Sequence, residues 1–154
     1  MFTTCGSNSY ETNKSTCQAA IISRRYKTDY LARHWVKENP LGYCVLCPGL
    51  EKLDTLDHFL LYCDSLNAAR KNVLNYWLSY SNEDDILRNL LALKLQEPTK
   101  ILLQFIIDPS TDSDVIRGVQ NNLIKLDEVY RLTRTWCYSV HRKKLQLTGR
   151  FRQF

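Results

Sequence analysis

Four residues constrain this chain more than any other feature: Cys44, Cys47, His58 and Cys63, separated by two, ten and four residues. A gap of two lets a pair of thiolates grip one ion from a tight turn, and a His and a Cys five positions apart can converge on it from the end of a helix. Gly42 ahead of the pair and Pro48–Gly49 behind it suit such a turn. The pattern predicts a zinc site closed tetrahedrally by three sulfurs and one imidazole. With all four positions filled by protein, no coordination place remains for water or substrate, so the expected role is structural. The competing reading is three buried cysteines and a core histidine at accidental intervals, and the loop context argues against it. Three thiolates on a divalent ion leave one net negative charge, which Arg70 or Lys71 could compensate.

The remaining cysteines are scattered, so a reducing compartment fits better than a disulfide framework. No apolar run approaches the roughly 18 residues of a membrane span. Met1 leads into a polar stretch instead of a signal-peptide core. The expectation is an intracellular protein, nuclear or cytoplasmic, with no membrane partner. Its 154 residues, 44% of them hydrophobic, suffice for one domain with its own core.

Apolar spacing predicts an all-α domain of several helices with the zinc knuckle (44–63) embedded as a loop. Residues 1–13 lack periodicity and read as a disordered start; 14–145 form the single helical domain; 146–154 read as a basic flexible tail. The first helix is expected from about Ser15 to Val36, interrupted near Lys27–Thr28, with Ala20, Ile21, Leu31 and Trp35 inward. Asp54 or Thr55 caps a short helix carrying His58 and Cys63. Further helices follow over Leu66–Trp77, ILRNLLALKL and KILLQFII, and a long pattern from Ser113 to about Leu145 breaks at Gly118 or Asn121–Asn122.

Charge is uneven within the net +5. Lys14 to Lys37 holds six basic residues against Asp29 alone, and the chain after Ser113 is basic again. Two basic ends brought onto one surface would suit a polyanion, RNA or DNA. Arg24, Arg25 and Lys27, interleaved with Tyr26 and Tyr30, mix phosphate-contacting and base-stacking types; tyrosine packing with solvated cations is the competing reading. Arg142, Lys143 and Lys144 open the densest basic stretch and are the other candidate nucleic-acid contacts. His34 and His141 have no ligand neighbours, and Cys137 and the tryptophans sit at packing positions.

The segments AAIISRRYKTDYLARHW and CVLCPGLEKLDTLDHFLLYCDSLNAARKNVL, with LTRTWCYSVHRKK later, resemble the C-terminal Cys-Cys-His-Cys zinc-binding region of non-LTR retrotransposon reverse transcriptases. The resemblance implies an accessory domain that binds RNA or target DNA during target-primed reverse transcription, with Cys44, Cys47, His58 and Cys63 as zinc ligands. It departs from the family in lacking a polymerase body. Asp84–Asp85 follow Ser-Asn-Glu at a helix start and do not form the magnesium-binding aspartate pair. The expectation is therefore a non-catalytic nucleic-acid-binding module with no small-molecule substrate. The alternative is a structural module docking on the polymerase part of a longer polypeptide or another subunit, marked by an apolar patch on ILRNLLALKL or KILLQFII.

Overall fold

The last apolar repeat of the chain becomes the axis of the fold. A computed structural model describes residues 9–23, 26–33 and 38–149. Over these residues the protein is all-α, with no strand beyond a single antiparallel bridge between Tyr43 and Leu53. The helices are α1 (Ser9–Ile22), α2 (Asp29–Ala32), α3 (Asn67–Tyr80), α4 (Asp85–Gln96), α5 (Thr99–Ile107), α6 (Ser113–Gln120) and α7 (Leu126–Thr148). Buried side chains of α7 run from Val129 to Leu145 and occupy several faces, because α1, α3 and α5 all pack on it.

Two tryptophans lock the centre. Trp77 of α3 donates its Nε1–H to the Leu132 carbonyl at 3.0 Å, and its ring lies 5.1 Å from that of Trp136. Phe105 of α5 meets Trp77 edge-on at 6.4 Å. Such ring pairs add about 0.5–1.5 kcal/mol each beyond their buried area.

Local chemistry explains most helix ends. Thr28, Asp84 and Asp112 accept backbone N–H bonds at the starts of α2, α4 and α6. Asp84 is therefore a helix cap, and Asp85 pairs with Arg88 in the next turn. The long Ser113 pattern breaks after Gln120, where the amides of Leu123 and Ile124 both donate to the Gly118 carbonyl at 2.8 and 3.1 Å. Ile124 folds so closely onto Gly118 that a Cβ there would lie 2.3 Å from its Cδ1.

Several expectations need correction. Helix α1 begins at Ser9, so residues 9–13 are helical; residues 1–8 lie outside the described residues. Leu31 is exposed because α2 is one short turn, and Trp35 and His34 lie outside the described residues. Helix α7 continues through Thr148, which places 146–148 in the helix, and residues 150–154 are not among those described. The inward face of α1 is also more polar than apolar spacing foresaw. Gln18 donates to the Ile106 carbonyl and the Thr133 hydroxyl, and Lys14 reaches the Thr135 hydroxyl at 3.3 Å. A buried cation, Lys94, joins α4 to α6 through Asp112 and Asp114, each at 2.7 Å. Its hydrogen bond draws the Asp114 carboxyl below its usual range.

Candidate metal centre

The segment that carries Cys44 and Cys47 is a small hairpin built by its own residues. Asn39 bonds Tyr43 twice through its side-chain amide, Cys44 N–H donates to the Lys52 carbonyl at 2.6 Å, and Asp54 N–H donates to Gly42 at 2.9 Å. Within the loop, Cys47 N–H returns to Cys44 and Leu50 N–H to Cys47, both at 3.2 Å. Gly49 adopts φ +77, the left-handed conformation that the turn after the cysteines requires.

The second ligand pair comes from a widened helical turn. Cys63 N–H donates to the His58 carbonyl at 2.7 Å, an i→i+5 bond that makes His58–Tyr62 a π turn. On a regular α-helix, residues five apart diverge by roughly 140° around the axis. The π turn stacks Cys63 over His58 instead. The carbonyls of Phe59 and Leu60, inside this turn, meet side chains from elsewhere: Arg70 Nη1 at 3.5 Å and Trp136 Nε1 at 3.0 Å.

All four ligand atoms lie within 4.8 Å of one another, and all four residues are buried. Cys44 Sγ and Cys47 Sγ stand 3.8 and 3.7 Å from Cys63 Sγ, and Cys47 Sγ stands 3.6 Å from His58 Nε2. These separations are far beyond an S–S bond. They match the edges, about 3.8 Å between sulfurs and about 3.6 Å between sulfur and nitrogen, of a tetrahedron with metal–sulfur bonds of about 2.3 Å. The cluster can hold a metal ion.

Electrostatics favour a cation. Hydrogen bonding with Cys63 and then burial push the Cys44 thiol up, burial pushes Cys47 up, and the bond to Cys44 holds Cys63 below its usual range. A metal ion would take the place of the protons that such crowded, buried thiols hold. Burial pulls the His58 imidazole below its usual range, in the direction of the neutral, ligating form. Of the two candidate compensating cations, Arg70 is buried and donates to the Cys63 carbonyl, while Lys71 is exposed.

The expected nucleic-acid contacts separate. Arg142 is exposed and Lys143 partly so, and both line a groove of about 400 Å³ between α3 and α7. Lys144 is a correction. It is sealed in the core with Nζ 2.7 Å from Asp54 Oδ2 and 4.9 Å from the centre of the Phe59 ring, so it faces no solvent. Arg24 and Arg25 lie outside the described residues; Lys27 is exposed. Tyr26 is a core residue, stacked on Phe59 at 4.9 Å with its hydroxyl 2.8 Å from His141 Nδ1. That contact lays the Lys27 segment against α7. Arg131, Arg134 and Lys71 join the exposed or partly exposed cations of α3 and α7. The signal that could have found them is compositional: neither Asn67–Tyr80 nor Val129–Gly149 contains an Asp or Glu.

The fold and site thus define an all-α domain around a buried Cys3His cluster. Comparisons with protein-family models, curated proteins and solved structures found no match to the chain.

Proposed function

We propose that this protein is a non-catalytic, zinc-stabilised nucleic-acid-binding module of the kind found at the C-terminal end of non-LTR retrotransposon reverse transcriptases. The observation that carries the reading is that α3 and α7 pack together and carry no carboxylate over Asn67–Tyr80 and Val129–Thr148, the acids of α7, Asp127 and Glu128, being confined to its first turn. Lys71, Arg131, Arg134, Arg142 and Lys143 stand on these stretches of the two helices and are exposed or partly exposed. Such a surface attracts phosphates by counterion release, without reading base sequence.

Zinc is the proposed metal because three thiolates and an imidazole at tetrahedral spacing form its preferred structural ligand set. Its role is to hold the hairpin against the π turn. The tests are metal content per chain and fluorescence anisotropy with labelled RNA and DNA across a salt series. Salt-sensitive binding by zinc-loaded protein supports the reading; absence of binding at low salt sinks it.

A docking role has its own support. Leu61, Leu74, Leu95, Leu102 and Trp136 line a hollow of about 600 Å³ beside the metal centre, and Ile86, Leu93 and Ile101 of the two apolar helices are partly exposed. This becomes the better account if folded, zinc-loaded protein ignores nucleic acid.

A further inference from the structure

The three sulfurs of the metal centre are not equivalent. Cys47 is the most accessible, at 7% exposed against 4% for Cys44 and 0% for Cys63, and it sits on the hairpin between partly exposed Leu46 and exposed Pro48. Cys63 is fixed through its backbone: its N–H bonds the His58 carbonyl, and its own carbonyl receives the Leu66 N–H at 3.0 Å and the Arg70 guanidinium. The sulfurs of Cys47 and Cys63 lie 3.7 Å apart. A bond that needs no ion brackets them. The Ser65 hydroxyl, just past Cys63, donates at 2.8 Å to the carbonyl of Leu46, the residue before Cys47. Cys44 is held differently, because its N–H goes to Lys52 across the hairpin and ties it there instead of to the π turn.

We propose that Cys47 and Cys63 form an oxidation-sensitive pair, converted by a peroxide into a disulfide that replaces the metal as the link between hairpin and π turn, with the Ser65–Leu46 bond holding the two in reach. The assignment rests on the zinc reading above and adds a regulation to that site. The Cys47 thiolate attacks one peroxide oxygen; the O–O bond breaks, hydroxide leaves, and Cys47 becomes a sulfenic acid. The Cys63 thiolate then attacks the Cys47 sulfur, forming the S–S bond and expelling a second hydroxide. The two sulfurs have given up two electrons, the peroxide has accepted them, and two protons from solvent turn both hydroxides into water. Zinc exchanges no electrons. Closing the 3.7 Å gap to an S–S bond takes a shift of roughly 1.7 Å. Only Cys44 and His58 then remain as ligands, too few for a structural site, so the ion is released. A Cys44–Cys47 disulfide would also empty the site, but it would leave the hairpin unlinked to the turn.

Zinc-loaded wild type treated with hydrogen peroxide tests the assignment, with a chromogenic chelator reporting released zinc and non-reducing peptide mass spectrometry mapping the disulfides. The expected result is loss of zinc with one Cys47–Cys63 disulfide per ion released, reversed by dithiothreitol and added zinc. The oxidised protein should also melt above reduced protein stripped by chelator, since the cross-link persists. In Ser65→Ala, which keeps all four ligands, the ratio of Cys47–Cys63 to Cys44–Cys47 linkage should fall about fivefold, the effect of losing one hydrogen bond. Zinc retained through peroxide treatment, a Cys44–Cys47 disulfide as the main product, or Cys47 carried on to sulfinic acid without a disulfide overturns the assignment. So does a linkage ratio unchanged in Ser65→Ala; all of these leave the zinc reading intact. A reduced chain that takes up no zinc overturns the zinc reading and this assignment with it.

Discussion

Lys144 Nζ lies 2.7 Å from Asp54 Oδ2, and each side chain is 1% exposed, so the last helix is ionically fastened to the base of the metal hairpin. A buried pair of this kind is costly to break and less costly to replace outright. Lys144→Met alone should destabilise the protein by about 3–5 kcal/mol, and Lys144→Met with Asp54→Leu should recover a large part of that loss. Denaturant unfolding of zinc-loaded protein decides this; additive losses would mean that the two charges do not act as a pair.

If the cluster holds the proposed structural zinc, removing it should cost more than removing any one buried contact, because such sites contribute folding free energy directly. Cys47→Ser, or chelation of the wild type, should lower the melting midpoint and release the hairpin, while Cys17→Ser, at a buried cysteine outside the cluster, should retain the metal. Cobalt substitution offers a separate readout, the visible absorption of tetrahedral thiolate coordination. A cobalt spectrum unaffected by Cys47→Ser would remove that residue from the ligand set.

Burial, with Lys144 and Arg142 nearby, pushes His141 down from 6.5 to about 4. Tyr26 and Tyr138 also face its ring. The folded protein therefore keeps His141 neutral where the unfolded chain takes up a proton. Its stabilising contribution is complete above about pH 6.5 and declines by about 1.4 kcal/mol per unit as pH falls toward about 4. His141→Gln should flatten that slope relative to wild type in pH-dependent unfolding. Acid also protonates the metal ligands, but in both proteins alike, so the difference between the two slopes isolates His141.

For single strands, each neutralised phosphate adds about 0.7 to the steepness of log affinity against log salt. Replacing Arg142 and Lys143 with Gln should therefore lower the magnitude of the slope by about 1.4. An unchanged slope would show that neither side chain meets a phosphate.

Trp136→Phe keeps most of the ring packing but leaves the Leu60 carbonyl without its indole donor. Loss of a partner from a buried group costs about 1–3 kcal/mol. Because that carbonyl belongs to the π turn, metal transfer to a chelator should also accelerate. Normal transfer kinetics in a destabilised variant would confine the bond to packing.

The four clustered residues were legible in the sequence because the pattern is local: Cys44 to Cys63, with Gly42 and Gly49, lie within one short stretch. Helix content was legible for a similar reason, through Asp84 at a helix start and the apolar repeats. The π turn was not, since an i→i+5 bond has no residue signature and HFLLY reads as ordinary helix. Burial of Lys144 was equally hidden. Three adjacent cations look alike in sequence, and only Asp54, ninety positions earlier, draws the third inward. Tyr26 and Gln18 were likewise claimed by partners on α7 that no local pattern announces.

Arg70 and Trp136 each reach one carbonyl of the same widened turn, from α3 and from α7. Opening that turn would strand a guanidinium on one helix and an indole on the other, so the turn cannot loosen alone. Its amide protons should exchange with solvent deuterium together with those of the first turns of α3 and the middle of α7, as one cooperative unit whose opening rate rises when the ion leaves.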